Sequence, residues 1–224
     1  MKKSSYLFKQ LLGTLIFFLI PFLSAGRLNY WQAWAYVALG LIMFALGQTI
    51  LAISPELQNE RSKPGEGTKS WDKLILMLSF FATIAMFVVA GLDSGRYHTD
   101  RHFPPYYFMI GFVMTAFGQF LFLLAQHQNK FFSSTVRIQN DRNHQVCDTG
   151  LYRIVRHPAY LGSVIQTLGF PLFFGSEWSV APVLFSLVLL ILRTALEDST
   201  LRKELKGYES YASITKYRLL PFIW

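Results

Sequence analysis

The residue types that could perform chemistry are concentrated in the last third of the chain, beginning with the stretch Gly150–Gly162, GLYRIVRHPAYLG. A phenol, two guanidinium groups and an imidazole stand here directly before an apolar segment. Pro158 is suited to the first position of a helix, where its missing N–H is not needed. Arg156 and His157 would then flank a helix N-terminus, whose free N–H groups and dipole favour anions. The stretch predicts either a polar helix cap or the floor of an anion-binding site.

A second polar group stands where the last apolar segment ends. Arg193 and Glu197 are four residues apart and share one helical face, and Asp198 follows directly. The turn Gly175–Glu177 lies between the two polar groups and predicts a helical hairpin. A tight hairpin would bring its ends side by side, with Tyr160 and its neighbours next to the second group. Taken singly, such charged residues are ordinary anchors at a membrane surface. Taken together, the two polar groups predict a pocket at the membrane surface that is lined by both of them.

The elements that would position these residues are membrane helices. The chain has 224 residues, of which 52% are hydrophobic and only 15% charged, too apolar for an ordinary soluble domain. Three segments contain no charged residue: Trp31–Ile53, Leu74–Leu92 and Phe103–Gln126. Each is long enough to cross a bilayer, which takes about 20 helical residues. The fold class predicted is an all-α integral membrane protein.

Further apolar segments extend the predicted number of transmembrane helices to five or six. Leu7–Ala25 follows a basic start and also matches a secretory signal peptide, but a second span follows at once, which favours a first membrane helix. Ala159–Gly175 and Trp178–Leu192 are short, and we expect them to form the last helical hairpin, shallow or tilted. The pocket at the open end of that hairpin would be the cytoplasmic C-terminal site.

The net charge of +8 reports membrane topology and not a nucleic-acid partner. Of the 21 Lys and Arg residues, 18 lie before the first span, in the two long loops or after the last span, and 3 in the alternate loops. This distribution follows the positive-inside rule, with both termini cytoplasmic, and predicts contact with membrane lipids and no binding of nucleic acid. Cys147 is the only cysteine, so no disulfide and no cysteine metal cluster is expected.

Two weaker motifs carry no function in this interpretation. Pro64–Ser70 has the look of a phosphate loop but lacks the second glycine at its proper spacing and follows no strand. His98 and His102, with Asp100 between them, have a metal-like spacing but no third ligand nearby. No metal site is predicted, and the absence of Gly-x-Gly-x-x-Gly excludes a recognisable Rossmann nucleotide site.

The C-terminal residues resemble the isoprenylcysteine carboxyl methyltransferase family, to which phospholipid N-methyltransferases are related. The similarity extends from Arg137 onward, while the first half matches only as a set of spans. Asp198 departs from the pattern, since the family usually has a second glutamate there. We therefore expect residues 1–128 to form N-terminal transmembrane helices 1–4 and residues 129–224 a methyltransferase-like region. The matching series is Gly150-x-Tyr152-x-x-x-Arg156-His157-Pro158-x-Tyr160-x-Gly162, then Arg193-x-x-x-Glu197-Asp198-x-x-Leu201, then Gly207-Tyr208-x-x-Tyr211 and a terminal Leu-Pro.

The resemblance implies S-adenosyl-L-methionine as cofactor and a lipidic or prenylated acceptor, a small molecule or a protein, that enters from the bilayer. It assigns catalysis to Arg193, towards the methyl acceptor, and to Glu197. A carboxylate acceptor needs an orienting cation, whereas an amine acceptor must lose a proton, for which Glu197 or His157 could serve. The implied cofactor-binding residues are Tyr152, Arg156, His157, Pro158, Tyr160, Gly162, Glu197, Asp198, Tyr208 and Tyr211.

Three alternatives remain open at this point. A membrane sterol or steroid reductase shares the Tyr217-Arg218-x-x-Pro221 ending, but Ala159 replaces the asparagine of its Arg-His-Pro-Asn-Tyr core. A phospholipid N-methyltransferase would use the same cofactor with an amine acceptor. A membrane interaction protein or small transporter is disfavoured, because the predicted spans contain no buried charge.

Overall fold

The computed structural model describes residues 13, 15, 17–62, 66–97 and 103–224, and within these ranges every regular element is helical. Residues 1–12, 14 and 16, the first two residues of the Pro64–Ser70 motif, and the His98–Asp100–His102 group lie outside the described residues. The elements are α1 (17–25), α2 (Trp31–Thr49), α3 (Pro55–Ser62), α4 (Ser70–Ala90) continued by a π-helical turn (Gly91–Arg96), α5 (Pro105–Gln128), single 3₁₀ turns at Asn140–Arg142 and Gly150–Arg153, α6 (Pro158–Phe174), α7 (Val180–Glu204) and α8 (Tyr208–Ile214).

Three helices of the described chain are long and apolar enough to cross a membrane: Ser70–Arg96, Pro105–Gln128 and Val180–Glu204. Their apolar side chains point outward, as Phe81, Val113 and Leu184 do, each with more than half of its surface exposed. Carboxylates lie inside instead. This inverted distribution is that of a protein whose surroundings are hydrocarbon, and it confirms the membrane class.

The short α6 packs most extensively on α5, through a seam of glycines. A Cβ on Gly118 would lie 2.4 Å from the carbonyl oxygen of Gly162, and one on Gly162 would lie 2.5 Å from that of Gly118. One heptad away, Gly111 meets the backbone of Phe173 and Gly169 meets Met114 in the same way. Glycine lets two helix backbones approach this closely. The seam fixes the depth and rotation of α6, which carries His157 and Tyr160 at its start.

The predicted hairpin of the last two apolar segments is present, and its turn is anchored. Asp93 is buried in the π-helical turn, where its Oδ2 accepts hydrogen bonds from Ser176 Oγ at 2.7 Å and from the Trp178 N–H at 3.0 Å. The second helix of the hairpin, α7, runs twelve residues past the end of its apolar segment at Leu192, up to Glu204. Arg193, Glu197 and Asp198 therefore lie on one continuous helix.

The start of α6 and the last turns of α7 lie at one end of the bundle, called the polar end here. The tail after α8 returns to this end and pairs with the motif preceding α6. The Arg156 N–H donates to the Tyr217 carbonyl at 2.9 Å, and the His157 N–H donates to the Arg218 carbonyl at 3.0 Å. Residues 217–218 thus form a backbone strap across the two residues before Pro158, which begins α6 as predicted.

Candidate active site

A cavity of about 370 Å³ opens at the polar end between α4, α5, α6, α7, α8 and the loop of residues 129–147. Its size lies within the range of ligand pockets, roughly 300–1,000 Å³. One wall is apolar and aromatic, with Leu76, Phe122, Phe131, Phe132 and Val146. A second part of the lining, called the polar wall here, contains most of the residues predicted for the site: Tyr152, Arg156, His157, Tyr160, Arg193, Glu197, Tyr208 and Tyr211.

Asp198 lies behind this polar wall and organises it. Its side chain has no exposed surface and accepts hydrogen bonds from Arg156 Nε at 2.7 Å and Tyr208 Oη at 3.0 Å. The strap contributes Arg218, whose Nε lies 2.9 Å from Oδ2, and His157 Nε2 lies 3.4 Å from Oδ1. Asp198 does not line the cavity. The structure brings it together with the predicted residues, but as the support beneath them.

Most of the hydrogen-bond donors of Arg156 are already used within the protein. Its Nε and Nη2 donate to Asp198, and its Nη1 donates to the carbonyls of Thr215 and Lys216 at 2.8 and 2.7 Å. Four of its five N–H groups are thereby used. A guanidinium held in this way shapes the cavity and adds positive charge, but it has little capacity left to bind a ligand directly.

Tyr160 and Glu197 form the polar contact between the first turn of α6 and α7. The Tyr160 hydroxyl donates to Glu197 Oε2 at 2.5 Å, and the ring lies nearly parallel to that of His157. Within the described residues Glu197 Oε1 accepts no hydrogen bond. The cavity therefore presents a free carboxylate oxygen beside an imidazole.

Arg193 lies in the same cavity and is held by a carboxylate on another helix. Its Nε and Nη2 donate to Asp72 at 2.8 and 3.4 Å, and Nη2 also donates to the Ser134 carbonyl at 3.0 Å. The guanidinium carbon lies 5.5 Å from the centre of the Tyr160 ring, within cation–π distance. The four-residue spacing to Glu197 produces no ion pair, because Asp72 on α4 holds Arg193 instead.

The three remaining tyrosines close the cavity on the side of α8. The Tyr211 hydroxyl donates to the Tyr152 carbonyl at 2.6 Å, and the Tyr152 hydroxyl donates to the Ala125 carbonyl at 3.3 Å. Burial raises the pKa of all three phenols, and for Tyr208 the nearby Asp198 carboxylate raises the pKa further. They stay protonated and act as hydrogen-bond donors that tie the tail to the motif.

Besides Asp198, two of the predicted residues do not line the cavity. Pro158 is buried at the first position of α6, and Gly162 belongs to the glycine seam with α5. Both set the position of α6. Their place in the motif is accounted for by helix geometry, whereas His157, Tyr160 and Glu197 present polar atoms to the cavity.

The loop of residues 129–147 supplies a wall that the sequence interpretation missed. Arg137 donates to Glu60 Oε2 at 2.8 Å and to Asp141 Oδ1 at 2.7 Å, which fastens the loop to α3. Burial alone would raise the pKa of Glu60, but hydrogen bonds from Arg137 and Ser133 bring that pKa below its ordinary value. The signal available was Glu60, one of three acidic residues between α2 and α4, and sequence alone does not show which of them has a buried partner.

His144 also lies in this wall. Burial, together with the positive charges of Arg137 and Arg142, lowers the pKa of its imidazole to about 4. Nδ1 accepts a hydrogen bond from the Gln139 N–H at 3.3 Å, which requires this nitrogen to be unprotonated. His144 is therefore a neutral residue that orders the loop.

The fold and site define a class: an all-helical membrane protein whose polar end encloses a ligand-sized cavity bordered by arginine, histidine, tyrosine and carboxylate groups. The sequence model of the isoprenylcysteine carboxyl methyltransferase (ICMT) family matches residues 109–203. Two probable protein-S-isoprenylcysteine O-methyltransferases, from Oryza sativa subsp. indica and subsp. japonica, are each 32% identical over 199 residues, covering 86% of this chain and 97% of theirs. The protein-S-isoprenylcysteine O-methyltransferase of Schizosaccharomyces pombe is 30% identical over 138 residues, which span 54% of this chain and 57% of that protein.

The chain belongs to the isoprenylcysteine carboxyl methyltransferase family, because nearly the whole length of the rice relatives is matched. It is a membrane methyltransferase, and the family predicted from the C-terminal motifs is confirmed. These comparisons give no support to the sterol reductase or transporter alternatives.

Proposed function

We propose that the protein transfers a methyl group from S-adenosyl-L-methionine to the carboxylate of a prenylated cysteine. The observation that carries the proposal is the position of Arg193, a guanidinium in the cavity that is close to the Tyr160–Glu197 pair but not neutralised by it. The names of the relatives support the acceptor, since each is an isoprenylcysteine O-methyltransferase or a probable one.

The cavity residues fit the proposed cofactor. A zwitterionic methionine moiety and a ribose need hydrogen-bond donors and acceptors, and Glu197 Oε1 is an acceptor without a partner in the described chain. His157 is the better candidate for the cofactor carboxylate, because Arg156 has only one N–H left. The aromatic wall at Phe131 and Phe132 can receive an adenine ring. When bound, the cofactor supplies an electrophilic methyl group.

The remaining predicted residues act indirectly in this proposal. Asp198 and Arg156 fix the polar wall, while Tyr152, Tyr208 and Tyr211 exclude water from the α8 side. Pro158 and Gly162 set the position of α6. Alignment and exclusion of water are the main contributions a protein can make to a displacement at carbon.

Arg193 orients the acceptor. A carboxylate is a nucleophile at neutral pH without loss of a proton, so the acceptor needs orientation and not a general base. Two of the five N–H groups of Arg193, those on Nη1, have no partner among the described residues, and they can bind the acceptor carboxylate. Glu197 lies one turn away and disfavours a second anion next to it, which gives the carboxylate a preferred direction.

The membrane arrangement belongs to the same proposal. The polar end faces the cytoplasm, in keeping with the distribution of Lys and Arg, and both termini lie on that side. Residues 1–128 anchor the protein as transmembrane helices, and residues 129–224 form the catalytic region, with five or six spans in all. The prenyl chain of the acceptor lies in the bilayer beside the cavity.

The experiment is a transfer assay with purified protein in detergent. Radiolabelled S-adenosyl-L-methionine is supplied with S-farnesylcysteine carrying a free carboxylate, and the matched control acceptor carries a carboxamide in its place. We expect labelled ester from the first acceptor alone. Calorimetric titration with S-adenosylhomocysteine tests the cofactor separately, and His157→Ala should weaken binding. No binding of S-adenosylhomocysteine by the wild type would contradict the proposed cofactor. If phosphatidylethanolamine is added to the assay, transfer of label to it in place of the carboxylate would contradict the proposed acceptor.

A further inference from the structure

Asp72 is a fully buried carboxylate in the first turn of α4, at the edge of the cavity. Its Oδ1 accepts a hydrogen bond from Arg193 Nε at 2.8 Å, and its Oδ2 accepts one from the Val136 N–H at 2.8 Å. A buried ionised carboxylate is costly unless it is paired and hydrogen-bonded, and here it has both kinds of partner. Asp72 thus joins α4, α7 and the loop of residues 129–147 at a single point.

Asp72 comes from the part of the chain proposed to anchor the protein in the membrane, outside the region that carries the family motifs. It lies before residue 109, where the match to the family model begins, and 121 residues before Arg193 in sequence. The region we expect to be catalytic starts at residue 129. The guanidinium at its centre is nevertheless held from α4.

The pairing leaves a defined part of Arg193 available. Asp72 and the Ser134 carbonyl accept from Nε and Nη2, and Nη1 keeps both of its N–H groups without a partner in the described chain. Without Asp72, the nearest carboxylate on the same face would be Glu197, one turn further along α7. Opposite charges at this spacing attract each other on a helix. Arg193 would then form an ion pair with Glu197, and neither side chain would be free to bind a ligand.

We infer that Asp72 is the positioning residue of the site, which holds Arg193 away from Glu197 and directs Nη1 to an acceptor carboxylate. This inference rests on the proposed function and adds the residue that sets its specificity for an anionic acceptor. Arg193 needs the negative charge of Asp72, because an uncharged side chain would not compete with Glu197.

The test compares Asp72→Asn with Glu204→Gln in the purified full-length protein. Glu204 is a matched control: its salt bridge to Lys69 also joins α7 to the start of α4, but its side chain is 43% exposed and it neither contacts Arg193 nor lines the cavity. The transfer assay gives KM separately for S-farnesylcysteine and for S-adenosyl-L-methionine. Losing a hydrogen bond to a charged group should raise the acceptor KM about 10- to 100-fold in Asp72→Asn. The cofactor KM should stay within about threefold, as should both constants in Glu204→Gln, because an exposed ion pair contributes less than about 1 kcal/mol.

A double-mutant cycle with Arg193→Gln separates positioning from a general loss of structure. If Asp72 acts through Arg193, adding Asp72→Asn to Arg193→Gln leaves the acceptor KM unchanged. The double variant lacks both charges of the pair and so leaves neither one buried without its partner. It can therefore be compared with Arg193→Gln even where the single Asp72→Asn variant does not fold. Equal acceptor KM values in wild type and Asp72→Asn would overturn the inference, as would a further loss in the double variant. An inactive wild type would instead count against the proposed function.

Discussion

The Tyr160 hydroxyl donates a short hydrogen bond to Glu197 Oε2, joining the first turn of α6 to α7. The two residues come from the two polar groups that flank the hairpin in sequence, and this contact links the two groups directly at the cavity. Because Oε2 is engaged, Glu197 has a fixed rotamer and presents Oε1 to the cavity. The site is therefore organised before a ligand enters, which is the condition for efficient alignment.

Removing this hydroxyl should reduce activity without unfolding the protein. In Tyr160→Phe the ring remains beneath Arg193, but Glu197 loses its donor and its fixed orientation. A hydrogen bond to a charged group contributes about 1.5–3 kcal/mol, so we expect kcat/KM for methyl transfer to fall about tenfold or more. Steady-state kinetics against Tyr97→Phe, which alters a tyrosine that is 71% exposed outside the cavity, provides the comparison. Equal rates in the two variants would show that Glu197 does not need this donor.

Neutralising Asp198 should destabilise the whole polar end. In Asp198→Asn, Arg156 stays buried beside a neutral group, and Arg218 loses the carboxylate that anchors the strap. Breaking a buried pair by removing one partner costs about 3–5 kcal/mol. We expect a large fall in the thermal unfolding midpoint, measured by far-UV circular dichroism in detergent.

The control for Asp198 is Glu209→Gln. Glu209 also pairs with an arginine, Arg202, but its side chain is 67% exposed, and a surface pair of this kind contributes less than about 1 kcal/mol. If both variants unfold at the same temperature, Asp198 does not support the polar wall in the way described here.

The stability of the loop wall should depend on pH through His144. Its pKa is about 4 in the folded protein against 6.5 ordinarily, so the unfolded chain takes up a proton first as the pH falls. The free energy of unfolding should therefore be highest above pH 6.5 and decrease as the pH falls towards about 4. His144→Asn removes the titrating group and leaves an oxygen to accept from the Gln139 N–H.

The measurement is the unfolding midpoint of wild type and His144→Asn across that pH range. The wild type should lose more stability, since the carboxylates with lowered pKa, Glu60 and Asp141, titrate alike in both proteins. Parallel curves for the two proteins would mean that His144 titrates near its ordinary value.

A single methyl group in the glycine seam should disrupt the bundle. Gly118→Ala would place a Cβ 2.4 Å from the Gly162 carbonyl oxygen, and a backbone atom cannot turn aside as a side chain can. Overpacking of this kind typically costs about 1–3 kcal/mol, and we expect lower unfolding temperature and lower activity together. Gly47→Ala is the matched control, because its Cβ would meet only the ends of side chains, those of Leu123 at 3.4 Å and Ile53 at 3.6 Å. Similar losses in both variants would show that the seam has room to adjust.

The sequence predicted those parts of the structure that depend on local rules. Pro158 begins α6 because a proline is tolerated at that position, and the turn at residues 175–177 folds the hairpin as expected. The convergence of Tyr160 with Glu197 followed from these two local features. The family could also be predicted, because the order and spacing of its motifs can be read directly from the sequence.

The features that were not predicted depend on pairings over long distances in sequence. Nothing near Arg193 indicates that its partner is Asp72 and not Glu197, which lies at an ideal spacing on the same helix. The glycine seam was also missed, since the heptad spacing of Gly111 and Gly118 acquires meaning only when α6 is known to face α5. The apolar segment predicted to end at Leu192 gives no end for the helix, because hydropathy ends where the membrane-facing surface ends, whereas α7 continues as a polar helix to Glu204.

The strap at Tyr217 and Arg218 has a consequence for the order of biosynthesis. The N–H groups of Arg156 and His157, and two donors of the Arg156 guanidinium, receive their acceptors from residues made about 60 positions later. While the ribosome is still translating α7, these groups have no partner in the nascent chain. The polar wall can therefore close only after residues 215–218 have been synthesised, so a ribosome that stalls before them would leave an anchored chain without a finished site.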